Sequence, residues 1–192
     1  MQKKLISILA ALALPACAPT LVPAPSLPAT EPAAEATNPG FDATRVRTDL
    51  ESTARQRFGD ALTDRALASP NFLFSKHYVG LPPPPILQPD GSYKEREPAM
   101  ALLVRENGRW LVATADGFRA ANPDKAADID ALLADQAFWD EPAWSQPTCT
   151  DSGGSLLMLK IAPRAPTTPV VRQGACGATR QTERLVFLAL EA

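Results

Sequence analysis

The chain has 192 residues, with 19 Lys and Arg against 21 Asp and Glu, a single His and three Cys, and 45% of it is hydrophobic. The slight acidic balance argues against a nucleic-acid surface, which needs a cationic face. One histidine and no Cys-x-x-Cys leave no zinc-ligand spacing, and no glycine-rich phosphate loop or other cofactor motif is present, so no cofactor is expected.

The N-terminus reads Met1-Gln2-Lys3-Lys4, then an apolar run from Leu5 to Leu14, then Pro15-Ala16-Cys17-Ala18. Two lysines, a short apolar core and a small-residue site are the three parts of a secretory signal. Ten helical residues rise only ~15 Å, about half of a bilayer's hydrocarbon thickness, so the run is too short for a permanent span. Leu14-Pro15-Ala16-Cys17 resembles the lipobox of bacterial lipoproteins, with Pro15 at a position that is usually small. That resemblance implies cleavage after residue 16, a diacylglycerol on the Cys17 thiol, and attachment to the membrane through lipid. The competing reading is an ordinary secretory cut after Ala18, which would release a soluble periplasmic or secreted protein. In enteric lipoproteins an aspartate after the cysteine resembles an inner-membrane retention signal. Ala18 stands there, so the expectation is the outer membrane, facing the periplasm. Loss of Lys3 and Lys4 leaves 17 basic residues against 21 acidic ones, so no polybasic attraction to anionic lipid adds to the anchor.

Residues 17–40 are rich in Pro, Ala, Thr and Glu, with Pro19, Pro23, Pro25, Pro28, Pro32 and Pro39 spaced through them. Such a stretch forbids a continuous helix and buries too little to offset the entropy of ordering. It is expected to be a tether that reaches some tens of ångströms at ~3.1 Å per extended residue. Residues 41–192 are then a single α+β domain, with helices packed on a small, mainly antiparallel sheet.

Within it, Asp42 to Ala68 reads helical, since Val46, Leu50, Ala54 and Phe58 share a face, with an interruption at Gly59-Asp60. Phe72 to Val79 is a candidate strand, and the run Pro82 to Pro85 reads as a rigid connecting loop rather than a ligand for a proline-reading module. Asn107-Gly108 between Met100–Glu106 and Arg109–Thr114 predicts a two-residue hairpin. Its register sets Glu106 against Arg109, Arg105 against Trp110, Val104 against Leu111 and Leu103 against Val112. Apolar residues on both faces place this pair centrally in the sheet. Asn122-Pro123-Asp124 starts a helix that runs to about Ala134 and buries Ala126, Ile129, Leu132 and Leu133. Ser155 to Ile161 reads as a buried strand and Thr167 to Gln173 as its return. Thr182 to Glu191 fits a helix, though Val186-Phe187 also suits a strand.

With Cys17 assigned to lipid, Cys149 and Cys176 are an even pair in an oxidising compartment and are expected to form a disulfide. They bracket the predicted strand pair, so a hairpin can bring them within bonding range. The other reading has them as buried free thiols.

Thr150-Asp151-Ser152-Gly153-Gly154-Ser155 resembles the Gly-Asp-Ser-Gly-Gly-Pro nucleophile loop of trypsin-like serine proteases, with Ser152 at the nucleophile position and His77 upstream. Such chemistry needs a base within reach of the serine, an acid orienting the base, and amides for the oxyanion. Thr150 and Ser155 depart from that pattern, and the 75-residue separation of His77 and Ser152 is too short for two barrels. A tight turn before a strand accounts for the same residues. Asp140-Glu141 reads as a solvated pair of loop carboxylates, and Trp139 and Trp144 as caps on a core rather than ligand-stacking platforms. No catalytic residue is assigned. The expected function is that of a non-catalytic envelope lipoprotein presenting its domain to a protein or cell-wall partner. The alternatives are a soluble inhibitor or ligand-binding domain and, more remotely, an envelope serine hydrolase using Ser152.

Overall fold

The computed structural model describes residues 41–78, 85–94, 98–144, 153–165, 167–175 and 179–192, all within one compact unit. Cys17, Cys149, Ser152 and Cys176 lie outside them, as do Val79 and Pro82 to Pro84. No helix among the described residues is long and apolar enough to cross a membrane.

The chain opens with α1 (Ala43–Phe58), whose N-cap Asp42 accepts a hydrogen bond from the Arg45 amide at 3.0 Å. This satisfies one of the donors that a helix start leaves unpaired. Gly59, at φ 83°, breaks the helix where the sequence places an interruption, and α2 (Asp60–Ala68) follows. Positive φ of this kind suits glycine.

Six antiparallel strands form one sheet in the order β6-β5-β4-β1-β7-β8. They are β1 (Asn71–Tyr78), β4 (Ala99–Glu106), β5 (Arg109–Thr114), β6 (Gly117–Ala120), β7 (Gly154–Ile161) and β8 (Val170–Ala175). The β4–β5 hairpin turns at Asn107 and Gly108, both at positive φ (50° and 77°), in the expected register. β2 (Ile86–Leu87) and β3 (Tyr93–Lys94) make a separate two-stranded sheet.

Both faces of the large sheet are covered, which explains why its inner strands read as unbroken apolar runs. On one face Val46, Leu50, Ala54 and Ala66 pack on Phe72, Phe74, Met100, Leu102, Val104, Leu156 and Met158. The rings of Phe72 and Phe74 meet edge to face at 5.4 Å. On the other face lie α3 (Pro123–Ala134), α4 (Gln136–Trp139) and α5 (Arg180–Leu190). Their Ile129, Leu132, Phe138, Leu185 and Val186 pack on Leu73, Leu103, Leu157 and Leu159. Each fully buried Leu or Phe contributes ~1.5–3 kcal/mol relative to exposure.

α3 begins where Asn122-Pro123 places it: the Asn122 side chain accepts from the Asp124 and Lys125 amides at 2.9 and 3.3 Å. Asp130 on this helix accepts from Trp110 Nε1 at 2.9 Å and from Arg105 at 3.0 Å, so a cross-strand pair of β4–β5 grips α3. The C-terminal segment is a helix, not a strand, because Leu185, Val186, Leu188 and Ala189 are all buried on one helical stripe.

Candidate functional site

β1 ends, β4 begins, β7 begins and β8 ends on the same side of the sheet, in the rows His77↔Ala99, His77↔Ser155 and Ser155↔Gly174. The residues there are polar or small where the middle of the sheet is apolar. His77 Nδ1 lies 3.3 Å from Ser155 Oγ. The imidazole stacks at 49° against Phe187 of α5, with ring centroids 4.9 Å apart. On the opposite face Tyr78 lies directly over Gly154, where a Cβ would come 2.2 Å from the phenol oxygen, so only glycine admits the ring. Gln173 donates to the Tyr78 hydroxyl at 3.3 Å, and its backbone amide donates to Ala143 O at 2.8 Å. Trp144 thereby runs as a short parallel bridge beside β8.

Two rows deeper sits a buried ionic network. Arg172 of β8 is 3% exposed and donates to the carbonyls of Phe138 and Trp139, with its guanidinium 4.4 Å from the Phe138 ring centre. Burial pushes its pKa below the usual arginine value, opposed by the Glu141 carboxylate 4.0 Å away. Glu141 accepts from the Gln181 amide at 2.6 Å and from the Thr182 amide and hydroxyl at 2.9 Å each. The carboxylate thus caps the positive end of the α5 dipole and faces a buried cation. Sequence reading takes Asp140-Glu141 as solvated. Asp140 is exposed, whereas the Glu141 side chain is 11% exposed and structural.

Trp139 caps the core as expected: its Nε1 donates to Leu133 O at 2.8 Å and its ring meets Phe138 edge to face at 5.1 Å. Trp144 is half-buried.

The chain that leaves β1 at Tyr78 and returns to β4 at Ala99 carries the β2–β3 hairpin. Its Ile86, Leu87 and Tyr93 are 44%, 61% and 69% exposed. In its turn Asp90 accepts from the Ser92 amide and hydroxyl at 2.9 and 2.6 Å, which holds the carboxyl below its usual pKa. Phe187, beside His77, is a further exposed aromatic. Sequence reading treats this proline-flanked stretch as a connector and misses it.

Ser155 is 1% exposed, so its hydroxyl is not offered to a substrate, and no carboxylate orients His77 among the described residues. No group of three or more His, Cys, Asp or Glu is placed to hold a metal among the described residues. No known protein family, curated protein or solved structure matches this chain.

Proposed function

We propose that the protein is a non-catalytic envelope lipoprotein, anchored by Cys17 in the outer membrane and facing the periplasm. Its α+β domain binds a protein or cell-wall partner through the end of the sheet that carries the β2–β3 hairpin. The observation that carries this reading is the exposure of Ile86, Leu87 and Tyr93 on strands that, among the described residues, pair only with each other. An isolated two-stranded hairpin is marginal in water, and large exposed apolar side chains held together mark interaction surfaces. The lysine-led apolar signal, Leu14-Pro15-Ala16-Cys17 and the proline-rich residues 17–40 support the anchor and the reach.

A disulfide between Cys149 and Cys176 belongs to the same reading. Gly154 pairs with Ala175, so the β7–β8 ladder brings its two ends together, with Cys176 next in sequence on one side and Cys149 five residues back on the other.

Two measurements test the proposal. Cys17→Ser is expected to release the protein from membranes or to block its processing, because anchoring by acyl chains amounts to ~0.8 kcal/mol per buried methylene. A variant that still matures and pellets with membranes would contradict the anchor. A photo-crosslinker at Leu87 in intact cells is expected to trap a discrete product that one at Asp128 on α3 does not. Identical patterns from both positions would contradict the binding surface.

A further inference from the structure

Among the concavities of the described surface, two differ in what their cations face. The larger, about 540 Å³, is lined by Arg65, Arg105, Glu106 and Asn71 among others. Its charges are already matched, Arg65 donating to both oxygens of Glu106 and Arg105 to Asp130. The smaller, about 230 Å³, lies at the opposite end of the sheet from His77, between α1, the start of β1 and the end of β7. Leu67 and Phe72 form its apolar wall, and Arg47, Lys160, Thr167 and Thr168 supply its polar groups. No carboxylate among the described residues lines it.

The two cations there are underused. Arg47 gives only its Nε to Glu51, at 2.7 Å, so its terminal nitrogens have no partner among the described residues. Lys160, half-buried and paired across the ladder with Phe72, has no hydrogen-bond or ion-pair partner among them either. A guanidinium whose terminal nitrogens are unused beyond its single bond to Glu51, and an ammonium with no partner among the described residues, attract an anion beside apolar walls more strongly than they would in open water.

We propose that this concavity binds a phosphate group. A planar carboxylate is satisfied by an arginine fork alone. A phosphate monoester has three free oxygens and can use the fork, the ammonium and the two threonine hydroxyls together. The space is smaller than the ~300–1,000 Å³ of sites that enclose a whole drug-sized ligand. It therefore holds the phosphate and the first atoms of what carries it, either a lipid headgroup or a soluble phosphate ester.

The test is a titration of the isotope-labelled mature chain with inorganic phosphate, followed by amide NMR. Saturable shifts are expected at Lys160, Thr167 and Thr168. Arg47→Gln and Lys160→Gln should each weaken binding at least tenfold while the rest of the spectrum stays folded. Equal shifts with sodium chloride at matched ionic strength would overturn the proposal, as would unchanged phosphate binding by the double variant. Displacement by a short-chain phosphatidic acid but not by a sugar monophosphate assigns the site to lipid headgroups, and the reverse assigns it to soluble esters. If neither displaces phosphate, no carried phosphate reaches the concavity and the proposal fails.

Discussion

The six-stranded sheet and the β2–β3 hairpin contain the same kinds of residue and use them in opposite ways. In the sheet Phe72, Leu73, Leu103 and Leu157 are at most 1% exposed, pressed between helices on both faces. In the hairpin Ile86, Leu87 and Tyr93 stand in solvent. Charged groups packed against the sheet are paired: Glu141 and Arg172 are buried together, and Asp130 holds two partners, while Ser75 Oγ and Arg105 Nε are buried without a hydrogen-bond partner. The difference separates two tasks. Stability resides in the covered sheet, and in the proposed function the hairpin's apolar surface is left for contact.

The largest break in that division should come from Glu141→Ala. It strips the cap from α5 and leaves Arg172 buried without its carboxylate, which is expected to lower unfolding free energy by about 3–5 kcal/mol. Urea unfolding checks this, and a loss under 1 kcal/mol would show that water replaces the carboxylate. Reduction of the proposed Cys149–Cys176 disulfide comes next. Its loop spans 28 residues counting both ends, and opening it should remove about 3–4 kcal/mol on the chain-entropy account. Two alkylatable thiols in unreduced protein would instead show that no such bond exists. Asn122→Ala removes the α3 cap and should lower stability by about 1 kcal/mol, again read from urea unfolding.

How far these regions were legible follows from the range of their interactions. Asn107-Gly108 and Asn122-Pro123 announce a turn and a helix start through their own backbone preferences, so the β4–β5 register and the start of α3 are readable from a few residues. The return strand begins three residues later than its apolar pattern suggests, at Val170 rather than Thr167. β6, with only Phe118 as a large apolar residue, has no alternation to detect. Glu141 could not be recognised because its partners, Arg172 and the start of α5, lie 31 and about 40 residues away. The hairpin was hidden by its prolines, which read as a connector. The pairing of His77 with Ser155 depends on β1 lying beside β7, and no local signal encodes strand order.

A pH titration sharpens the comparison within the hairpin itself. The Asp90 carboxyl sits below its unfolded value because Ser92 donates to the ionised form. Its contribution is therefore present above the ordinary aspartate range, ~3.9, and is lost as pH falls through the lower folded value. Because Asp90 is fully exposed the effect is small and local. The Ser92 amide resonance should move over this acidic range while those of Leu103 and Leu157 in the sheet do not. Parallel movement in the sheet would mean that the hairpin is coupled to the core.

The central claim is that the hairpin's apolar residues do not hold the fold together. Equilibrium urea unfolding of the triple variant Ile86→Ser, Leu87→Ser, Tyr93→Ser tests it most directly. Exposed positions of this kind are expected to leave unfolding free energy within about 0.5 kcal/mol per site of the parent protein. A loss of several kcal/mol, in the range of a core truncation at ~2–5 kcal/mol, would show that these side chains belong to the core and contradict the account.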